Sequence, residues 1–195
     1  SIPLYRSLAL NGAVSWGQYT YDSNPYYLQT QDNSGDIVSD GYVYWKDFRV
    51  ESTPQTAVNV GLSWRSNNNI YLSADFNYYN NMYLSMSPIY RTDAVITGGM
   101  APGDIEHLRR QEKFDSAYTL NASIGKNWYI HRQYTLGFSL EVKNILNNQD
   151  IRTGGYEQTR LTKNTETTVT TYQAFDSKYF YMFGTTYYLN LYFRF

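Results

Sequence analysis

The sequence lacks cysteine altogether, holds only two histidines in 195 residues, and has no strong excess of either charge. Without cysteine there can be no disulfide framework, thiolate metal site or cysteine nucleophile, although this leaves the compartment open. His107 and His131 alone offer little to a histidine metal cluster. Sixteen Lys and Arg stand against seventeen Asp and Glu, a net charge of -1. The bulk basic footprint of a nucleic-acid binder is therefore missing. The longest apolar run, Tyr179-Phe180-Tyr181-Met182-Phe183, falls far short of the ~20 residues a spanning helix requires. The chain opens Ser1-Ile2-Pro3, with neither a methionine start nor a signal peptide, and so reads as a processed product or a piece of something longer.

Aromatic residues are what the chain has in excess. It carries 22 Tyr, 9 Phe and 4 Trp, yet its mean hydropathy is polar at -0.55. Many rings in a chain that is polar on average fit a surface where amphipathic side chains sit between an apolar phase and water. A membrane barrel meets both conditions, because its strands alternate apolar and polar residues.

Period-two alternation recurs in six segments. The apolar parities are Leu8, Leu10, Gly12, Val14, Trp16; Val58, Val60, Leu62, Trp64; Ile70, Leu72, Ala74, Phe76, Tyr78; Tyr118, Leu120, Ala122, Ile124; Tyr134, Leu136, Phe138, Leu140, Val142; and Tyr187, Leu189, Leu191, Phe193, Phe195. Lys126 and Trp128 continue the fourth of these towards an interface. The opposite parities are small or polar. Two connections, 66–69 and 130–133, are four-residue turns, whereas 18–53, 85–114 and 148–178 are long polar excursions, the second with room for a short helix over 105–114. Short turns on one side and long loops on the other mark outer-membrane barrels, and three such loops are uncommon in compact domains. The apolar parity from Ile70 to Tyr78, at ~3.3 Å per residue and a ~40° tilt, covers roughly 20 Å of the ~25 Å apolar band. Trp16, Tyr78, Tyr118 and Tyr187 then fall at the outer girdle, and Trp64, Trp128, Tyr134, Phe193 and Phe195 at the inner one.

Several motifs add a resemblance. The chain ends Leu191-Tyr192-Phe193-Arg194-Phe195, similar to the C-terminal strand by which barrel-assembly machinery recognises Gram-negative outer-membrane proteins; Phe193 and Phe195 would carry that signal. Trp16-Gly17-Gln18-Tyr19-Thr20-Tyr21, Gln55-Thr56 before Val58 to Trp64, Asn77-Tyr78-Tyr79-Asn80-Asn81-Met82-Tyr83 and Val142-Lys143-Asn144-Ile145-Leu146-Asn147-Asn148 resemble, in order and spacing, the closing strands of TonB-dependent transporters of the SusC-like branch. The resemblance implies an all-β fold in which residues 1–195 supply the last six antiparallel transmembrane strands of a 22-stranded barrel. The plug domain, the TonB box, the carboxypeptidase-like N-terminal domain and most of the barrel are missing. It further implies a place in the cell outer membrane of a Gram-negative bacterium and import of a glycan or peptide nutrient. The implied partners are the remainder of the barrel and plug, a SusD-like surface lipoprotein, the TonB complex acting through the plug, barrel-assembly machinery and membrane lipid. Six strands open in lipid leave unpaired edges costing several kcal/mol per group, so the chain must find other strands.

No enzyme chemistry, metal or cofactor is indicated. Gly98-Gly99 and Gly154-Gly155 read as loop hinges, His131 as a turn residue, and Asp32-Asn33-Ser34-Gly35-Asp36 as a plain turn, since Val43 stands where a calcium loop needs a carboxylate. Asn121-Ala122-Ser123 lies mid-strand and is discounted as a glycosylation site. Arg65, Asp75, Asn77, Tyr79, Glu141, Lys143 and Arg194 are the lumen-facing candidates for solute contact, with Glu141 and Lys143 placed to pair with each other. In the loops, Tyr42, Tyr44, Trp45, Tyr90, Arg91 and Tyr156 are the candidates to stack on sugar or peptide groups. Two rival readings are a free-standing eight-stranded barrel of structural or adhesive role, with Tyr26–Gln31 and Tyr42–Phe48 as added strands, and a soluble binding sandwich.

Overall fold

A computed structural model describes all residues except Arg6, Ser52, Gly99, Arg132 and 164–169. With 58% of the chain in strands and 8% in helices, the class is all-β. Strands β1 (Ile2–Tyr5), β2 (Leu8–Trp16), β5 (Thr56–Arg65), β6 (Ile70–Asn80), β7 (Ala117–Ile130), β8 (Tyr134–Lys143) and β11 (Thr186–Arg194) form one antiparallel sheet in the order β1-β2-β5-β6-β7-β8-β11. The six alternating segments are all there, with β1 added at one edge. Pro3 is tolerated in β1 because an edge strand can spare its N–H. The sheet is open: β1 and β11 are its margins, and no pairing among the described residues joins them.

Register sorts the side chains. Leu8, Trp64, Leu72, Ile124, Leu140 and Leu189 lie in one row across six strands, and Leu10, Leu62, Ala74, Ala122, Val142 and Tyr187 in the next. A slip of one residue anywhere would turn a whole strand over, so the shared parity fixes the pairing. The other face carries a polar ladder. Asn59 donates to Asn77 Oδ1 at 2.9 Å, Asn77 donates to Thr119 Oγ1 at 3.4 Å, and the Ser73 and Ser123 hydroxyls meet at 2.8 Å. The Tyr71 ring occupies the space over Gly125 and that of Tyr192 the space over Gly137, where a Cβ has no room.

Long connections leave one end of the sheet and short turns the other, since Trp16 faces Thr56, Tyr79 faces Ala117 and Lys143 faces Thr186. Asn69 and His131 take left-handed conformations in the short turns, φ 58° and 51°. The second turn is tighter than expected, because β7 runs on through Ile130 and leaves only 131–133.

The long connections are structured. Strands β3 (Tyr26–Thr30) and β4 (Ile37–Tyr42) form one separate hairpin, β9 (Arg152–Lys163) and β10 (Thr170–Tyr181) another. This corrects the eight-stranded alternative: Tyr26–Gln31 contributes a strand outside the main sheet, and Tyr42–Phe48 does not continue as one. Asn24 Oδ1 accepts from both the Trp45 and Lys46 amides, bending that segment into a turn. The Asp32–Asp36 run is the hairpin's own turn, with Gly35 N donating to Gln31 O. Helix α1 spans Asp93–Ile96 and α2 Pro102–Leu108. The helix expected over 105–114 thus begins earlier, at Pro102, and stops at Leu108. Beyond it the chain is extended because Leu84 N donates to Glu112 O and Phe114 N to Met82 O.

Among the described residues no second layer covers the apolar face of the sheet. Trp16 is 82% exposed, Val14 73% and Leu191 70%. The buried core lies instead under the long loops, where Met82, Leu84, Phe114, Ala117 and Ile151 cluster with Tyr79, Tyr179 and Met182 against them. The two ends of the sheet therefore differ in kind: a packed cap on one, tight turns on the other.

Candidate functional site

The cap is assembled from two pieces. Segments 82–86 and 111–114 extend β6 and β7 as a short pair, and the β9–β10 hairpin leans on them through a bridge between Ser85 and Tyr156. Two carboxylates clasp the pieces together. Glu157 on β9 takes a two-pronged ion pair from Arg91, whose Nη2 lies 2.8 Å from Oε2. The same guanidinium donates to Leu108 O at 2.9 Å and Ser87 O at 3.1 Å, so four of its five N–H donors are spent on the protein. Glu112 accepts from the Ser177 hydroxyl at 3.0 Å and the Tyr179 hydroxyl at 2.5 Å, with Arg152 Nη1 at 3.7 Å. The Arg152 guanidinium also sits 4.2 Å from the centre of the Tyr179 ring, within cation–π range.

Between the clasps opens a cleft of about 830 Å³, with His107, Gln111, Glu112, Tyr172, Phe175 and Asp176 among its walls. His107 packs on Tyr172 with ring centres 5.5 Å apart. Across the hairpin an open groove of about 550 Å³ is bordered by Tyr90, Tyr156, Arg160 and Phe175. The phenols here are held neutral. The Glu112 carboxylate, then burial, raises the Tyr179 pKa above its ordinary value, and burial chiefly raises that of Tyr172. In the first loop, Tyr21 is pushed up to about 12 by burial and by the charge and hydrogen bond of Glu51.

Ring faces beside carboxylate and amide groups suit a polar solute with apolar faces. Among the described residues no group of His, Asp and Glu gathers into a metal-binding cluster.

The expected contact residues are scattered. Tyr90 and Tyr156 share the groove, while Tyr42 is exposed at the end of β4 and packs on Tyr26. Tyr44 is partly exposed, its amide bonded to Arg91 O, and Trp45 packs on Tyr21 at 5.0 Å. Asp75, Asn77 and Tyr79 sit along the polar face of β6; Asn77 is absorbed in the ladder and Tyr79 in the core. Glu141 and Lys143 pair at 3.6 Å. Arg65 is at the end of β5 beside the short turn and Arg194 at the end of β11. Phe193 stacks on Tyr134 at 5.8 Å, and Phe195 is 93% exposed. Arg91 is a correction: expected as an exposed stacking residue, it is 2% exposed and held by Glu157 and two carbonyls. Glu112, Glu157, Tyr172 and Tyr179 were not singled out by sequence. Glu112 falls in the segment expected as a short helix over 105–114, and Glu157 and Tyr172 in the polar excursion over 148–178, where no period marks a strand.

No family model matches the chain, and neither a curated protein nor a solved structure is found to be similar to it.

Proposed function

We propose that the chain forms wall and outer loops of an outer-membrane TonB-dependent importer of the SusC-like kind, taking up a glycan or peptide nutrient. The observation that carries this reading is the apolar face: rows of exposed aliphatic and aromatic side chains in matched register across six strands. Soluble monomers rarely expose an apolar patch beyond a few hundred Å², and hydrocarbon is the phase that covers such a face without a second protein layer. The polar ladder then faces a lumen, and the short turns and the loop cap fall on opposite sides of the membrane. The margins at β1 and β11, the two ends of the strand order, are where the remaining barrel strands would join. On this reading a plug couples the barrel to the TonB complex, a SusD-like lipoprotein covers the cap, and the cleft and the Tyr90–Tyr156 groove meet the solute. The chain itself supplies wall and loops rather than a reaction.

Native mass measurement on the detergent-extracted protein tests this. Recovery with, or as part of, a much larger polypeptide supports the importer. A monodisperse 22.7 kDa particle that resists unfolding on an unheated gel replaces it with a small barrel. Recovery in the aqueous fraction without detergent replaces both with a soluble sheet protein. For the solute, Tyr90→Ala with Tyr156→Ala should weaken binding and uptake; unchanged uptake removes the groove from the path.

A further inference from the structure

Lys126 is the single charged side chain on the apolar face of the sheet among the described residues. Its neighbours across the sheet are Ile70 on β6 and Phe138 on β8, and Ile124 and Trp128 flank it on its own strand. Lys126 Nζ lies 5.2 Å from the centre of the Trp128 ring, which in turn packs on Phe138 at 5.9 Å. The sheet's acidic residues, Asp75 and Glu141, belong to the opposite parity, and Glu141 is paired with Lys143. An ammonium steadied on an otherwise uncharged surface, with no carboxylate on its own face, draws its anion from whatever covers that face.

Depth says which anion. From Tyr118 to Lys126, at ~3.3 Å per residue and a ~40° tilt, β7 descends roughly 20 Å along the membrane normal. With Tyr118 at the outer boundary, Lys126 reaches the inner one, on a level with the aromatic belt of Trp128, Tyr134 and Phe193. Its methylene stem can lie along apolar surface while the ammonium extends to the headgroups.

We propose that Lys126, braced by Trp128, holds the phosphate of an anionic phospholipid at the short-turn boundary of the membrane. The inference rests on the lipid-facing reading of the sheet. Trp128 is its own reporter. The detergent-extracted protein, with whatever strands accompany it, is reconstituted into vesicles of equal parts phosphatidylglycerol and phosphatidylcholine, with bromine on the acyl chains of one lipid or the other. A Trp128→Phe variant subtracts the remaining tryptophans. Brominated phosphatidylglycerol should quench the Trp128 signal with an about fivefold higher affinity, the effect of one lysine beside an anionic lipid. Lys126→Arg should keep that preference, and Lys126→Met should abolish it while both lipids still quench. Equal quenching in the native protein, or a preference untouched in Lys126→Met, overturns the proposal and leaves the face in lipid. Quenching by neither lipid removes the lipid-facing reading, and this proposal with it.

Discussion

Replacing Arg91 by Met should open the cap while leaving the sheet intact. The guanidinium side chain is 3% exposed and that of Glu157 15% exposed, so neither charge has much water to fall back on. Arg91→Met leaves the Glu157 carboxylate without its two-pronged partner and orphans Leu108 O and Ser87 O. Breaking a buried ion pair from one side costs about 3–5 kcal/mol. The contacts broken join 82–116 to β9 through Glu157 or lie within 82–116, at Leu108 O and Ser87 O, and none lies within the sheet, so the loss should be local. Read by hydrogen exchange, the Leu84 amide, bonded to Glu112 O, and the Ser87 amide, bonded to Glu157 Oε1, should exchange faster by about two to four orders of magnitude. Amides of β6 and β7 should keep their protection. Arg91→Lys keeps the charge but not the planar fork and should fall between. Adding Glu157→Gln to Arg91→Met should restore part of the loss, since the stranded charge is then gone. Unchanged Leu84 exchange in Arg91→Met, or simply additive effects in the double variant, would refute the clasp.

Gly155 has φ 149°, and a Cβ there would run into the Lys178 carbonyl across the hairpin, so Gly155→Ala should cost about 1–3 kcal/mol and loosen β9 from β10 in the same exchange experiment. Asn144, at φ 51°, donates to Asn148 O and Phe183 O at 3.0 Å each and accepts from Asn148 N at 3.1 Å. Asn144→Ala should therefore lower stability by about 1–3 kcal/mol in denaturant titration, and Asn144→Gly should not recover it, because the lost side-chain bonds outweigh backbone ease. Alkali should act on the phenols. Tyr21 ionises at an ordinary value of 10.0 when unfolded but at about 12 when folded, so its contribution is complete below pH 10 and is lost as pH rises towards 12. A tyrosinate absorbance titration should show a late-ionising class that Glu51→Gln moves earlier; a single class at the ordinary value would count against the half-buried Tyr21–Glu51 pair.

The sheet was legible because its information is local and periodic. Each of the six segments keeps one parity apolar for long enough that register leaves no other choice, as Leu8, Trp64, Leu72 and Ile124 show. The cap was not, for it depends on pairs distant in sequence. Nothing near Arg91 announces Glu157, and a loop arginine beside Tyr90 reads as exposed until its partner is known. Strand β1 is too short, and too much interrupted by Pro3, to show alternation. The β9–β10 hairpin mixes parities: Gly154, Tyr156, Tyr179 and Phe180 serve both a packed and an open side, which blurs the period. The Asn144 motif was visible as a resemblance, but its purpose, tying the end of β8 to the start of β11 through Asn148, Phe183 and Thr185, came only with three dimensions.

The position of the β9–β10 hairpin within the chain also bears on the order of assembly. β5 and β6 are joined across 66–69 and can zip early, whereas β8 must find β11 across 144–185. Closing about forty flexible residues instead of about four adds roughly 2 kcal/mol of entropic cost. Once β9 and β10 have zipped, however, the slack to be closed shrinks to 144–151 and 182–185. The hairpin therefore acts as a spool that takes up chain before the last sheet joint forms. Variants that weaken it should slow the docking of β11 more than they weaken the finished β8–β11 ladder.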